Sequence, residues 1–288
     1  MNSRYKVFVY GTLREHESNH YFLKEASFLA RQCWTYGVLY ETGLGYPAMI
    51  PSKDKKVYGE LYEVNAKQLK EIDLFEGYFG DGRKNLYNRI TQPVYTEKEC
   101  VEAFVYVLPA SDKEELQGIE SGDWKCHQFL KHEKLLYFAY GSCMDHERFE
   151  LAGVGHLFTK IVGCGTAENY SLAYTHKAID GGRADLVESN QLVQGKVFEI
   201  NQEAIIYLYK REGVKSCMYR PAFIPIQING EVVKNVLVFL VVEKAEEIAP
   251  PDHYAREILR GAKGIVSKTY YKKLEEELFK KFQLKITL

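Results

Sequence analysis

Two glutamates occupy equivalent positions near the ends of two predicted helices. Glu76 lies four residues after Ile72, and Glu212 lies four residues after Leu208, so each carboxyl group falls on the apolar face of its helix. Partial burial and the negative end of the helix dipole both disfavour ionisation of a carboxyl group. We therefore expect each pKa to be raised, which makes a glutamate a usable base near neutral pH.

A short turn precedes each glutamate in the chain and supplies a different kind of group. Tyr10-Gly11-Thr12-Leu13 and Tyr140-Gly141-Ser142-Cys143 each follow β-branched and aromatic residues that predict a strand. Glycine lets the backbone approach a ligand closely, and the main-chain amides beyond it can hold an anion or a developing oxyanion. A proton acceptor and a set of amide donors are the minimum equipment for acyl transfer with an internal nucleophile.

Both features belong to a unit that occurs twice. Gly59-Glu-Leu-Tyr-Glu-Val-Asn65 returns 136 residues later as Gly195-Lys-Val-Phe-Glu-Ile-Asn201, and Glu212 follows Glu76 at the same offset. Taken singly, a helix-end glutamate paired with a lysine, or a strand ending in Gly-Ser, is the simpler interpretation. The recurrence of the whole arrangement at one offset favours a functional site in each copy.

The composition is that of an ordinary globular protein, and 288 residues are enough for two domains. The 38 basic and 39 acidic residues are mixed along the chain, which argues against a nucleic-acid-binding stripe. The six cysteines lack metal-ligand spacing and fit reduced thiols. With no signal peptide and no apolar run of about 18 residues, we expect a cytoplasmic protein without a membrane partner.

Local patterns predict mixed strands and helices in both copies. In the first copy, a strand with its exit turn is expected at 5–13, further strands at 34–40, 57–64, 86–94 and 101–107, and helices at 18–29, 65–76 and 111–130. In the second, strands are expected at 135–140, 170–174, 185–187, 193–200, 219–228 and 232–242, with helices at 145–152 and 201–212. A helical tail without a counterpart in the first copy follows Pro250-Pro251.

These elements predict the α+β class. Regular strand–helix alternation is too rare for a wound parallel sheet, so we expect two tandem small β-barrels or curled sheets with flanking helices. The first domain is expected at residues 1–132 and the second, with its helical tail, at residues 133–288.

Several segments resemble one known family. Tyr10-Gly11-Thr12-Leu13 and Ile72-Asp73-Leu74-Phe75-Glu76-Gly77 resemble motifs of the γ-glutamyl cyclotransferase-like (AIG2-like) superfamily. The segments that resemble γ-glutamyl cyclotransferase proper are residues 138–142, Gly181-Gly182-x-Ala184, residues 212–219 and the tail from Pro251 to Tyr270. The two copies cover nearly the whole chain and resemble a tandem form found in bacteria.

The resemblance implies two small β-barrels and an enzyme without metal or cofactor. It would convert the γ-glutamyl group of a small γ-glutamyl amino acid or amine to 5-oxoproline and release the amino acid or amine. Carried over by position, the catalytic acid/base residues would be Glu76 and Glu212. The substrate-binding residues would be Tyr10, Gly11, Thr12, Leu13 and Tyr87 in the first copy, and Tyr140, Gly141, Ser142, Cys143, Tyr219 and Tyr254 in the second.

Other interpretations stay open at this point. Both copies could be non-catalytic modules that bind a γ-glutamyl-like metabolite, or one copy could be active and the other degenerate. Cys143 could be a nucleophile, but no histidine is placed by the sequence to activate it, and the first copy has Leu13 there. The sequence also leaves open which γ-glutamyl compound is used and whether the two halves form an intramolecular pseudo-dimer.

Overall fold

A computed structural model describes residues 3–109 and 116–288 of the chain. The chain divides into two compact units between Gln128 and Phe129, four residues before the boundary expected from the sequence. Each unit contains a closed five-stranded barrel, which confirms the expected α+β fold of tandem barrels with flanking helices. Within the described ranges, no helix has both the length and the apolar character needed to cross a membrane.

The first unit carries eight described strands and two described helices. The strands are β1 (Arg4–Val9), β2 (Ser27–Tyr36), β3 (Val38–Glu41), β4 (Pro47–Ile50), β5 (Lys56–Asn65), β6 (Asn88–Tyr95), β7 (Cys100–Val107) and β8 (Gln117–Gly118). The helices are α1 (Ala66–Phe75) and α2, which begins at Trp124 and ends at Phe129. The barrel order is β1-β5-β2-β6-β7, closed by the parallel pair β7–β1, and β4-β3-β8 form a separate small sheet.

The second unit repeats this barrel with longer strands. Its strands are β9 (Lys134–Ala139), β10 (Ile161–Ala178), β11 (Gly181–Asn201), β12 (Tyr219–Ile228) and β13 (Glu231–Val241). Its helices are α3 (His146–Leu151), α4 (Gln202–Arg211), α5 (Asp252–Ala262) and α6 (Lys268–Phe282). Reading from β9, the order β9-β11-β10-β12-β13 matches β1-β5-β2-β6-β7 position for position, so the sequence repeat is a repeat of the fold.

The first barrel strand is apolar on both faces because both faces are covered. Phe8 points into the barrel core, whereas Val7 and Val9 belong to an outer core with Leu69 and Ile72 of α1. Alternate side chains of a strand point to opposite faces, which accounts for this division. The strand therefore ends at the turn with one side held by the barrel and the other by the helix that carries the glutamate.

The repeated motif Gly-x-Leu/Val-x-Glu-x-Asn places a glycine against this strand. A Cβ atom on Gly59 would lie 2.3 Å from the Val9 carbonyl oxygen and 2.7 Å from the Phe8 ring. Gly195 has the same relation to Ala139, at 2.3 Å, and to the Phe138 ring, at 2.8 Å. Glycine is thus needed here for close packing of the strands that lead into the two turns.

Two predicted helices are wrong in part. In place of a helix at 18–29, the chain forms a short 3-10 turn (His20–Leu23) and then enters β2 at Ser27. The Asn19 side chain donates to Thr12 Oγ1 at 3.0 Å instead of capping a helix, and the following residues pair with β5. Of the helix predicted at 111–130, only residues 124–129 are helical in the described part, and positions 110–115 lie outside it.

The strands predicted at 170–174, 185–187 and 193–200 merge into one long hairpin. β10 and β11 pair from Ile161 opposite Phe198 to Ala178 opposite Gly181, with register shifts along the way. Gly163 and Asn169 lie at two of these register shifts, and Gly181 lies at the hairpin end. The predicted helix at 201–212 and the helical tail are confirmed as α4 and as α5 with α6.

Candidate active sites

Helix α1 places the first glutamate. Asn65 caps its start: the side chain accepts from the Gln68 amide at 3.0 Å, and the Gln68 side chain accepts from the Asn65 amide at 2.9 Å. This capping box satisfies amide donors that the first helical turn leaves free. Glu76 follows the last helical residue, and Gly77 reverses the chain with φ of +65°. Glu76 therefore lies at the helix end, as the sequence predicts.

The turn and the glutamate of the first unit line one cavity of about 240 Å³. We call it the first cavity. It contains every residue predicted for this copy: Tyr10, Gly11, Thr12, Leu13, Glu76 and Tyr87. The sequence did not single out the remaining lining residues as pocket residues, namely Phe8, Val9, Asn19, Tyr46, Pro47, Phe75, Leu86 and Tyr106.

The carboxyl group of Glu76 is in an apolar environment. Burial raises its pKa to about 8. Among residues 3–109 and 116–288, none makes a hydrogen bond or ion pair with this carboxyl group. The neighbouring phenols are engaged elsewhere, since Tyr10 donates to the Tyr106 carbonyl at 2.8 Å and Tyr87 to the Pro47 carbonyl at 3.3 Å. Glu76 is therefore an uncommitted acid/base group near neutral pH.

The turn at residues 10–13 offers main-chain donors to the same cavity. It is folded by hydrogen bonds from the Arg14 amide to the Gly11 carbonyl at 3.1 Å and from the Asn19 amide to the Thr12 carbonyl at 3.0 Å. In the described part of the chain, the amides of Gly11, Thr12 and Leu13 have no acceptor. Such unpaired amides can stabilise a developing oxyanion or hold a carboxylate.

A buried ionic cluster supports this turn from behind. Arg14 pairs with Glu60 at 3.2 Å and with Asp123 at 2.9 Å, and Lys125 donates to the Glu15 carbonyl at 2.7 Å. Although burial alone would raise it, Lys125 and Arg14 hold the pKa of Glu60 below its usual value. Because every charge in the cluster has a partner, the charges can be buried, and the turn is held on a rigid base.

The second unit brings its predicted residues together in the same way. Asn201 caps α4 by accepting from the Ala204 amide at 3.0 Å, and Glu212 follows the helix. Their cavity, called the second cavity, measures only about 30 Å³. It is lined by the predicted residues Tyr140, Gly141, Ser142, Cys143, Glu212, Tyr219 and Tyr254, together with Tyr137, Ala184 and Phe239.

Two tyrosines close the second cavity around Ala184. The Tyr219 hydroxyl donates to the Ala184 carbonyl at 2.9 Å, as Tyr87 does to Pro47 in the first unit. Tyr254, from helix α5, accepts from the Ala184 amide at 3.1 Å. Because α5 belongs to the tail that the first unit lacks, this extra ring helps to make the second cavity smaller.

Glu212, unlike Glu76, has polar neighbours. The Cys143 thiol donates to Glu212 Oε1 at 3.3 Å, and Arg211 Nε lies 3.9 Å from the same oxygen. Burial raises the pKa of Glu212, while Arg211 and the thiol act in the opposite direction. The contact with Cys143 shows directly that the glutamate meets the turn in this unit.

Cys143 itself is poorly suited to be a nucleophile. Burial raises the pKa of its thiol to about 11, although Arg211 lies close to the sulfur. A thiol with such a pKa is almost wholly protonated at neutral pH, and the thiolate is the reactive form. The cysteine alternative therefore loses support.

The second turn has its own support. Arg260 of α5 pairs with Asp145 at 2.6 Å, and Lys196 donates to the Met144 carbonyl. A Cβ atom on Gly261 would lie 2.4 Å from the Asp145 amide nitrogen, so α5 packs directly on the chain beyond the turn. Lys196 stands at the position of Glu60 in the repeated motif, so the two units stabilise equivalent turns with opposite charges there.

Sequence reasoning missed several residues of both sites, of which Arg211 and Phe75 are the most informative. Arg211 contacts the turn, and Phe75 stands at its position in the first unit. Both directly precede a predicted catalytic glutamate, which is the signal that could have identified them. Pro47 and Tyr46 left no such signal because they come from a distant strand and loop. In the described ranges, no group of three or more His, Cys, Asp or Glu side chains is arranged to hold a metal ion.

Comparisons with known proteins agree on one family. Residues 7–126 match the family described as gamma-glutamyl cyclotransferase, AIG2-like, and residues 192–274 match the AIG2-like family. The chain is 39% identical over 276 residues to YkqA of Bacillus subtilis (strain 168), which covers 94% of this chain and 96% of YkqA. The crystal structure of YkqA matches with a TM-score of 0.87 at 37% identity, covering 99% of this chain and 100% of that chain.

Two shorter relatives match part of the chain. Gamma-L-glutamyl-butirosin B gamma-glutamyl cyclotransferase of Niallia circulans is 41% identical over 127 residues, which are 44% of this chain and 78% of the relative. Gamma-glutamylcyclotransferase of Bos taurus is 30% identical over 139 residues, which are 46% of this chain and 71% of the relative. The chain therefore belongs to the γ-glutamylcyclotransferase family and carries two of its AIG2-like domains in tandem.

Proposed function

We propose that this enzyme converts the γ-glutamyl group of γ-glutamyl amino acids or γ-glutamylamines to 5-oxoproline and releases the amino acid or amine. The family supports this reaction, and the Niallia circulans relative is named for a γ-glutamyl compound. The observation that carries the proposal is the first cavity, in which Glu76 shares one hollow with unpaired turn amides. This cavity is small, is lined by several tyrosines and has Glu76 as its one charged residue among the described lining residues. Such a space suits a substrate that supplies its own nucleophile.

In the proposed reaction the α-amine of the substrate attacks its own γ-carbonyl carbon. The glutamate carboxylate first accepts a proton from the α-ammonium group, and the freed amine forms the ring C–N bond while the carbonyl electron pair moves to oxygen. The glutamate returns the proton to the leaving nitrogen as the old C–N bond breaks and the carbonyl reforms. The ring nitrogen then loses its second proton through the same carboxylate to the departing amine, which leaves as an ammonium ion.

Three effects would supply the rate enhancement. Holding the substrate in the conformer in which its own amine attacks removes a search among rotamers; because the nucleophile is already tethered, this contributes less than joining two separate reactants would. Each well-placed turn amide would stabilise the tetrahedral oxyanion by about 3–4 kcal/mol. Proton transfer by the glutamate would add a factor of about 10²–10⁴ in rate. Glu76 and Glu212 are the proposed acid/base residues, and residues 10–13 and 140–143, with Tyr87, Tyr219 and Tyr254, are the proposed substrate contacts.

The test is the release of 5-oxoproline from a panel of γ-glutamyl amino acids and γ-glutamylamines. Glu76→Gln and Glu212→Gln should each remove the activity of one unit, and the double variant should release no lactam. Glu71→Gln is a matched control, since it makes the same change on the exposed face of α1. Undiminished release of lactam by the double variant would refute the assignment.

A second candidate function is an enzyme with one active unit and one degenerate unit. The small second cavity and the contacts that Glu212 makes with Cys143 and Arg211 favour it. In that case Glu76→Gln alone would abolish release of lactam from every substrate in the panel, while Glu212→Gln would have no effect.

A further inference from the structure

The residue before each proposed catalytic glutamate differs between the two units. Helices α1 and α4 start from equivalent asparagine caps and lead to equivalent glutamates, so Phe75 and Arg211 hold the same position. Phe75 lines the first cavity, where Glu76 is the one charged residue among the described lining residues. The second unit instead places a guanidinium group beside its turn.

Arg211 contacts three residues that line the second cavity. Its Nη2 donates to Ser142 Oγ at 3.1 Å, its Nε lies 3.1 Å from Cys143 Sγ, and Glu212 Oε1 is 3.9 Å away. In residues 3–109 and 116–288, Nη1 has no hydrogen-bond partner. The side chain is 17% exposed, so the guanidinium retains unused donors and some access to solvent.

The second cavity must widen before it can hold a substrate. Its volume of about 30 Å³ is about the share of one water molecule in the liquid. Arg211 helps to hold the Ser142 and Cys143 side chains, which also contact Tyr254 and Tyr137, so a ligand that draws Arg211 away loosens the turn. A carboxylate can do this, because it replaces both contacts of Arg211 with a bidentate, charge-assisted pair.

The residues that recur in both units should bind the part that all the substrates share. The turn, the glutamate and one phenol recur, and they suit the γ-glutamyl group. The residue that differs should then contact the part that can differ, which is the leaving group. In the first unit, Phe75 offers an apolar contact, and a carboxylate there would face Glu76, which must ionise to act as the base, with no compensating cation among the described lining residues.

On the basis of the proposed function, we propose that Arg211 determines the leaving-group specificity of the second unit by binding a leaving group that carries a carboxylate. The second unit then acts on γ-glutamyl amino acids. Phe75 at the matching position makes the first unit prefer uncharged or cationic amine leaving groups. The two units of one chain thus divide γ-glutamyl compounds by the charge of what they release.

The test uses two substrates that differ only in the carboxylate: γ-glutamylalanine and γ-glutamylethylamine. Full-length Glu76→Gln reports the second unit, and full-length Glu212→Gln reports the first. In the second unit, kcat/KM should favour γ-glutamylalanine by about tenfold or more, as expected for a hydrogen-bonded charge pair. Adding Arg211→Met should bring the ratio close to one, mainly through KM, and Arg211→Lys should restore part of it.

A reciprocal variant guards against loss of folding. Phe75→Arg in the Glu212→Gln background should shift the first unit toward γ-glutamylalanine, and a ratio of two substrates on one protein is independent of the folded fraction. Two results would overturn the inference. The first is an unchanged ratio of kcat/KM values in Arg211→Met, with activity toward both substrates falling equally or not at all. The second is no lactam from Glu76→Gln while the first unit is active. No lactam from the unmodified protein would instead overturn the proposed function, and the inference with it.

Discussion

The pH dependence of the first unit tests the chemistry assigned to Glu76. Burial raises the pKa of this carboxyl group to about 8, so in the free enzyme only about 1% is ionised at pH 6 and half at pH 8. If the carboxylate is the base, kcat/KM of the Glu212→Gln protein should rise about 50-fold between these pH values. A glutamate with its ordinary pKa of 4.5 would be almost fully ionised throughout and would give a nearly flat profile.

The assay is the initial rate of 5-oxoproline release from γ-glutamylethylamine at low substrate concentration, so that kcat/KM is read directly. The added change Glu76→Gln should lower the rate by about 10²–10⁴-fold and leave the pH dependence of any residual rate flat. Glu71→Gln should keep both the rate and the profile. A flat profile with Glu76 present would refute the argument from burial, even if Glu76→Gln were inactive.

The same pKa shift predicts an effect on stability. A carboxyl group whose pKa is higher in the folded state than in the unfolded state disfavours folding once the pH rises through that interval, here from about 4.5 to about 8. Glu76→Gln should therefore match the unmodified protein at pH 4.5 and be more stable at pH 8.5, by at most about 5 kcal/mol. Because Glu76 is only partly buried, solvent screening makes this gain in stability smaller. Thermal unfolding of both proteins at the two pH values measures this stability difference. The same difference at pH 4.5 and pH 8.5 would contradict the raised pKa of Glu76.

Three further substitutions and one control substitution test how the first site is supported. Asn65→Ala removes the capping box of α1 and should lower the free energy of unfolding by about 0.5–2 kcal/mol in urea titration. Gly59→Ala places a Cβ atom 2.3 Å from a backbone oxygen and should cost about 1–3 kcal/mol or more, whereas Gly118→Ala, with no atom within 4 Å, should be nearly neutral by thermal unfolding. Lys125→Met breaks the buried cluster and should cost about 3–5 kcal/mol, read from the urea midpoint; no change would show that the cluster contributes nothing to stability.

The sequence alone was sufficient for the features that depend on local chemistry and on repetition. The two asparagine caps, the glycine after each glutamate and the strand before each turn are set by neighbouring residues, and the structure has them where the patterns place them. The offset of 136 residues then identified two equivalent sites. The resemblance of the motifs added the barrel and the family.

Features that depend on distant contacts were decided by the tertiary structure. Segment 18–29 is rich in residues that suit a helix, but its second half is drawn into β2 by pairing with β5, and Asn19 is drawn to Thr12. The volumes of the two cavities depend on Pro47, Tyr46 and the tail residue Tyr254, none of which is near its glutamate in the chain.

The groups around each glutamate also show what the sequence predicts and what only the tertiary structure decides. Sequence spacing placed Glu76 and Glu212 alike, yet one carboxyl group lies in an apolar cavity and the other contacts Cys143 beside Arg211. A pKa depends on every group within a few ångströms, and those groups are brought together only when the barrel closes. Local sequence therefore determined where the acid/base groups stand, while long-range packing decided the size and charge of the space they face.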